Sequence, residues 1–522
     1  MTSSTKISGT LRGTAITTRV GLALGVAVTI CFVTGFISHF VQHPQPWFYW
    51  PTRPVWLYRA TQGLHVISGI AAIPLLVVKL WSVYPKLFEK PIIGGLTKQL
   101  ERASILVLMA SMLFQFSTGL MNIAKWYAFG FFFTANHYAM AYVAAGALLV
   151  HIGVKLPVIR RALGEPLDEI PTGELRRGPT RRTVLAGTWL AAGVATVVTA
   201  GQTVSWIRKA SVLAPRSGTG PQGIPVNRTA WAAGVLRGAK SPDYRLTVVN
   251  GSTTKSFTLA ELAAMPQSTY RLPIACVEGW SADADWSGVS LSSLIEAVGG
   301  SPDSDVRLIS LEPPGPYSRT TVPSSHASDP QTLVAMKING EQLALDHGYP
   351  ARRPADQMAF TDRGGAEMTA TRALLMAIGV ALGIYGVALV LDNPTHIIIR
   401  IAVWAGVGVL LHDAVFAPAC VALGFAGKRI LPRSTWSPIM VAALCSAVLL
   451  LLAIPVYSKP GLEPDNPTIL DRDYHWGLWM SLAIVWGAAL LILLGKHLLP
   501  VGQNKAVEQQ GADHVEAQPP PV

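Results

Sequence analysis

At 522 residues, with 50% hydrophobic and 14% charged residues and a mean hydropathy of +0.37, the chain is too apolar for an ordinary water-soluble protein. Its formal net charge of +12 does not mark a nucleic-acid binder, because the Lys and Arg sit largely in short loops beside apolar runs and no soluble stretch interleaves basic with aromatic residues. Three of the four cysteines, Cys31, Cys420 and Cys445, lie in apolar runs, which leaves Cys276 without an evident disulfide partner.

Runs of about 20 apolar residues, enough to cross a bilayer, recur near 20–42, 62–84, 103–124, 134–157 and 182–206. No cleavable signal peptide is expected, since the first run is long and follows a polar, weakly basic start. Lys6, Arg12 and Arg19 precede the first run; Lys86, Lys90, Lys98 and Arg102 follow the second. Arg160, Arg161, Arg176, Arg177, Arg181 and Arg182 follow the fourth. Placing all three clusters on the cytoplasmic side suits five crossings and puts residue 207 onward outside, in a periplasm or its equivalent. Arg181-Arg182-Thr183-Val184-Leu185-Ala186 also has the form of an internal twin-arginine export signal. A positive flank reads equally well on the motif alone; export of a domain that folds around a cofactor favours the signal.

His39 closes the first run, His65 opens the second, and His137 and His151 lie in the fourth. Histidine inside a bilayer is costly and usually functional, although polar contact between helices is an alternative. His137 and His151 share one helix face about 21 Å apart along the axis, and imidazole is a good axial ligand for heme iron. This block resembles the four-helix b-type cytochromes that anchor bacterial oxidoreductases in membranes. The resemblance makes His65 and His137 the axial pair of an outer heme b and quinone the electron partner. It places a second ligand for an inner heme at the cytoplasmic end of the first helix, where this chain has no histidine. His151 and His39 are therefore further candidates for heme iron in a different arrangement. His43, beside Pro44, reads as loop.

Residues 207–367 are polar and rich in Gly, Pro, Ser and Thr. Strands are predicted at 244–249, 306–311 and 333–338, with turn signals at Asn250-Gly251 and Asn339-Gly340, and short helices at 259–265 and 291–298. Within this mixed α/β block, Cys276 is a lone thiol in a turn-forming run: inert and buried, a nucleophile, or a metal ligand. Cys276-Val277-Glu278-Gly279-Trp280-Ser281, Trp286-Ser287-Gly288-Val289 and Asp346-His347-Gly348-Tyr349-Pro350-Ala351-Arg352, in that order, resemble the sulfite-oxidase family of molybdopterin enzymes. The likeness is nearest to its bacterial branch, which includes the periplasmic methionine-sulfoxide reductases, and covers about 130 residues. It implies that Cys276 binds molybdenum and that Asn227 contacts the pterin. His347 and Arg352 fall where the family holds the pterin or its phosphate, a guanidinium being well shaped for phosphate. Glu278, two residues beyond the ligand, is a candidate for handling protons at the metal. A structural cysteine, a capping asparagine and surface ion pairs are the alternatives. After Arg352 the family's Pro- and Gly-containing stretch ending in Lys-Trp is missing, so the cofactor site is expected to lack part of its wall.

Four more apolar runs follow near 371–391, 396–424, 437–457 and 475–498. Lys428, Arg429 and Arg433 suit the cytoplasm, and Glu463, Asp465, Asp471 and Asp473 the outside. That puts residue 368 inside, with no crossing available after an outer domain. The expectation is a fusion near 354–367, by frameshift for example, with Met368 the natural start of a separate four-helix membrane protein. His396, His412, His475 and His497 of this block receive no ligand role. Residues 499–522 read as a disordered tail.

The whole is thus expected to be a multi-pass protein of the cell membrane. It comprises an N-terminal all-α transmembrane bundle (1–206), an extracytoplasmic sulfite-oxidase-like α/β domain (207–353), a junction (354–367) and a C-terminal four-helix transmembrane block (368–498). Its expected cofactors are molybdenum-molybdopterin and heme b. The expected activity is oxygen-atom transfer on sulfite, S-oxide or N-oxide compounds with electrons exchanged with quinone; its partners are membrane lipid and not nucleic acid. The alternative is a heme b electron carrier with a non-catalytic or degenerate outer domain.

Overall fold

The computed structural model describes residues 13–43, 45, 47–84, 95–164, 179–315, 317–352 and 368–498. The expected junction at 354–367 and the tail at 499–522 lie outside the described residues. Five helices open the fold: α1 (Thr14–Gln42), α2 (Leu57–Val83), α3 (Leu96–Ile123), α4 (Phe133–Gly164) and α5 (Arg181–Thr199). Four more apolar spans close it: α8 (Met368–Leu391), α9 (Thr395–Leu410) running through a π-helical turn at Leu411–Phe416 into α10 (Ala417–Ile430), α11 (Trp436–Tyr457) and α12 (Tyr474–Leu498). Among the described residues, nine spans are long and apolar enough to cross a membrane, and they coincide with the nine expected runs. Large apolar side chains such as Leu423, Phe425, Ile430 and Leu491 stand exposed on their outer faces, as a lipid-facing surface requires.

The two sets of helices form one bundle. A Cβ on Gly146 of α4 would lie 2.5 Å from backbone atoms of Gly379 and Gly383 of α8, and one on Gly386 would strike the backbone at Ala139 and Val143. Small residues let helix backbones touch where no aqueous hydrophobic drive exists. The pairing of 386 with 139–143 and of 379 with 149–150 makes α4 and α8 antiparallel. A shared core joins Val66, Ile123, Ala191 and Val198 of the first set to Val448, Leu452 and Leu478 of the last.

Between the two sets of helices lies a mixed α/β domain. Strands β1 (Leu246–Asn250) and β2 (Thr253–Phe257) form a hairpin closed at Gly251 with φ +57. Helix α6 (Leu259–Ala264) is capped reciprocally by Thr258 and Glu261. Strands β3 (Ser268–Ala275), β4 (Ser281–Ser290), β7 (Leu333–Ile338) and β8 (Glu341–Gln342) make an antiparallel sheet in that order, with α7 (Leu291–Glu296) after β4. Strands β5 (Val306–Ile309) and β6 (Arg319–Val322) form a second hairpin. Strands β3 and β4 were not anticipated from the sequence, and they carry the cysteine.

The domain sits on one end of the bundle. Lys125, between α3 and α4, pairs with Glu278 of the domain, and Gln202, just past α5, reaches the Glu278 carbonyl. At the far end Arg19 bonds the Ala162 carbonyl, and Arg160, Arg161, Arg181, Arg182, Lys428 and Arg429 lie near helix ends there. Since α8 runs antiparallel to α4, its first residue, Met368, belongs to this far end, whereas residue 352 is in the domain.

Candidate cofactor sites

Strands β3 and β4 pair through Ala275 and Ser281, so residues 276–280 are the loop of a long hairpin. The Cys276 amide donates to the Trp280 carbonyl at 2.9 Å and the Gly279 amide to the Cys276 carbonyl at 2.9 Å. Gly279 has φ +85, which a side chain would resist. The loop holds the Cys276 thiol 3.3 Å from Asn227 Oδ1 and 3.5 Å from the Glu278 amide. Cys276 is 8% exposed. Burial first, and the Glu278 carboxylate second, push its thiol up to about 12, so without a metal it is protonated at neutral pH. All four cysteines are free.

His347 is buried, and its tautomer is fixed by its neighbours. Gln222 Nε2 donates to the Gln342 carbonyl at 2.7 Å and its Oε1 accepts from the Ala344 amide at 2.8 Å. Oε1 is therefore the acceptor facing His347 Nδ1 at 3.2 Å, and Nδ1 carries the proton. His347 Nε2 is left as a buried acceptor with no partner, and Trp280 Nε1 is a buried donor in the same condition. Arg352 lies over the Trp286 ring at 5.8 Å, bonds the His347 carbonyl at 3.4 Å, and has no carboxylate partner among the described residues. Orphaned buried polar groups call for a ligand. A pterin with N–H donors for His347 and a phosphate for Arg352 fits them, and a thiolate suits a metal held mostly by sulfur.

The structure gives Glu278 different surroundings from an open metal position. Its Oε2 is 2.7 Å from Arg216 and its Oε1 3.3 Å from Lys125, and Arg216 is 1% exposed. Both oxygens are thus occupied by cations. Neither Lys125 nor Arg216 was visible as a site residue in the sequence, since each lies far along the chain from Cys276.

Beneath this loop is a cavity inside the bundle, lined by Cys31, Gly35, His65, Gly119, His137 and Val277 among others. The rings of His65 and His137 have centroids 6.5 Å apart and planes at 72° to each other. Two metal–imidazole bonds of about 2.0 Å plus a ring radius of about 1 Å on each side span a similar length. Both tautomers are again set by neighbours. His65 Nδ1 meets the Cys31 carbonyl at 2.8 Å. His137 Nδ1 meets Thr118 Oγ1 at 3.1 Å, and that hydroxyl donates to the Phe114 carbonyl at 2.7 Å. Each Nδ1 therefore donates, leaving each Nε2 lone pair for a metal. Gly35 and Gly119 abut the two rings, and a Cβ on Gly35 would come within 2.9 Å of His65. The pair fits a bis-imidazole heme. His39 lines the same cavity, but its ring stacks on Tyr138 at 3.5 Å. His151 is not among the lining residues, and no cluster of three or more metal-binding side chains occurs among the described residues.

The two sites meet at Val277. Its carbonyl accepts from Gln62 of α2 at 3.2 Å and from Asn122 of α3 at 3.4 Å. Gln62 lies three residues before His65, and Asn122 three after Gly119. The Thr203 hydroxyl bonds the Gly279 carbonyl, and a Cβ on Gly279 would fall 2.6 Å from Val66.

Residues 233–360, which include the hairpin-borne Cys276 and the buried His347 and Arg352, match the family described as oxidoreductase molybdopterin binding domain. The chain is 31% identical over 118 residues to the putative protein-methionine-sulfoxide reductase subunit YedZ1 of Azospira oryzae, covering 22% of this chain and 44% of that protein. It is 29% identical over 135 residues to the mitochondrial sulfite oxidase of Drosophila melanogaster, covering 21% of this chain and 24% of that protein. The chain thus spans less than half the length of either curated relative.

Proposed function

We propose that this chain is a membrane-bound molybdenum oxidoreductase that transfers an oxygen atom to or from a small sulfur or nitrogen oxide and exchanges electrons with a heme b and quinone. The observation that carries it is the Val277 carbonyl. The loop that holds the proposed metal sulfur is bonded directly to α2, which carries His65, and to α3, whose Thr118 meets His137.

In this reading, residues 1–206 are a cytochrome b bundle, 207–353 the molybdenum domain and 368–498 a four-span membrane unit. Cys276 would ligate molybdenum; Asn227, His347 and Arg352 would hold the pterin and its phosphate; His65 and His137 would be the first pair of heme ligands, with His39 and His151 as further heme candidates. The molybdenum cofactor, when bound, supplies two-electron oxygen-atom transfer with single-electron return, and the heme a one-electron relay. The protein excludes water from the thiol, fixes the histidine tautomers and holds the two sites at one distance. A proton-handling role for Glu278 requires it to release Arg216 or Lys125 first. The cations at the far helix ends support a cytoplasmic far end and an extracytoplasmic domain. Sulfur oxides are favoured as substrates because both relatives are named for them.

Metal and heme quantitation on the purified full chain tests this. Cys276→Ser is expected to lose molybdenum and keep the heme Soret band, whereas His65→Ala or His137→Ala loses the Soret band. Heme without molybdenum in the unaltered chain would instead favour an electron carrier with an inactive outer domain.

A further inference from the structure

The segment between α11 and α12 belongs by chain order to the last helices, yet its polar side chains bond the α/β domain. Asn466 and Thr468 are 0% and 4% exposed. Thr468 Oγ1 accepts from the Val226 amide at 3.0 Å and from Arg216 Nη1 at 2.9 Å. Its own proton goes to Asn466 Oδ1 at 2.8 Å, which uses the hydroxyl's full capacity. Asn466 Nδ2 donates to the Val226 carbonyl at 3.1 Å, and Arg216 Nη1 reaches the same oxygen at 2.9 Å. Both backbone groups of Val226 are therefore held by this buried network. Val226 immediately precedes Asn227, the residue that meets the Cys276 thiol. Arg216, gripped on one side by Thr468, turns its other nitrogen to Glu278.

Outer contacts extend the grip. Asp471 accepts from the Ser217 amide at 2.7 Å and hydroxyl at 2.5 Å, and Asp465 accepts from the Thr229 hydroxyl. Tyr474, fully buried, donates to the Pro215 carbonyl at 3.0 Å. Buried polar groups satisfied this completely specify one arrangement, and removing one partner strands the other.

We infer that residues 459–473 are a clasp that completes the molybdenum-cofactor site, with Thr468 and Asn466 positioning Asn227 and the Arg216–Glu278 pair around Cys276. This rests on the reading of the Cys276 domain as the cofactor site. It makes the last helices a working part of that site, in place of the independent membrane protein expected from the sequence.

The test uses the full chain in detergent, carrying Thr468→Val, Thr468→Ser or Asn466→Ala. Molybdenum per polypeptide and the Mo(V) electron paramagnetic resonance line shape are read, with circular dichroism and gel filtration as controls of fold. Thr468→Val is expected to lower molybdenum content about tenfold, the scale at which supporting partners of a metal ligand act, and to alter the line shape of what remains. Thr468→Ser restores both, and Asn466→Ala falls between. Unchanged content and line shape in Thr468→Val and Asn466→Ala overturn the clasp. If Thr468→Val fails to fold, unchanged molybdenum in Asn466→Ala alone overturns it. An unaltered chain without molybdenum overturns the cofactor reading itself, and is told apart because the loss then precedes any substitution.

Discussion

At the scale of single residues, the site is governed by two buried neighbours, Cys276 and Glu278. Cys276, raised to about 12 by burial and by Glu278, binds its proton more tightly when folded than when unfolded. The stability this gives the metal-free protein is complete below the ordinary thiol range and is lost as pH climbs from there toward 12. Iodoacetamide alkylation of metal-free protein, followed by mass spectrometry, is accordingly expected to stay slow at Cys276 until the pH approaches that value. Glu278 is a carboxylate whose two oxygens are taken by Arg216 and Lys125. Arg216→Met leaves the buried Glu278 carboxylate with Lys125 alone and is expected to cost about 3 kcal/mol, while pairing it with Glu278→Gln recovers part of the loss; thermal unfolding in detergent measures both. Cys276, the proposed metal ligand, stood out because three ordered motifs surround it. Arg216 was not, since a lone arginine in a polar stretch announces no partner.

At the scale of elements, the helices were legible because about 20 apolar residues in a row have few other fates. The hairpin β3–β4 was not. Leu272-Pro273-Ile274-Ala275 carries a proline that argues against a strand interior, and Ser281-Ala282-Asp283-Ala284-Asp285 alternates small with acidic residues, without the β-branched signal of a strand. Its pairing is set by the register with β7 and by the buried Trp280 and Trp286, which only the folded domain reveals. Gly279 marks where this element meets the bundle. Gly279→Ala forces a side chain into the left-handed region and against Val66, and is expected to lower the melting temperature and weaken the proposed electron exchange between the two cofactor sites. Stopped-flow reduction of the heme, with or without oxidised substrate, reads the second effect. Gly146→Leu, which would push α8 off α4, is expected to destabilise the bundle while leaving the α/β domain's circular dichroism intact.

At the scale of the molecule, charge along the sequence assigned residues 352 and 368 to opposite sides of a membrane, and the antiparallel packing of α4 and α8 starts α8 at the bundle end away from the domain. The clasp was beyond reach. Its bonds join residues such as Val226 and Thr468, 242 positions apart, and no local pattern encodes a partner at that distance. Sidedness can be measured directly. Single cysteines replacing the exposed Asp303 and Leu462 are expected to react from the same face of sealed vesicles with an impermeant maleimide. One replacing the exposed Arg433 should react only after the vesicles are opened. Labelling of all three from one face would separate the last helices from the arrangement described.

Docking of the Val277 carbonyl onto two helices has a kinetic corollary. Enzymes that carry a redox centre on a tethered domain must swing it between stations, and thick solvents slow them. Here the sulfur-bearing turn is already fastened to the scaffold by amides from α2 and α3, so no swing remains to be made. Passage of charge between the proposed molybdenum and heme centres should therefore be indifferent to glycerol or sucrose.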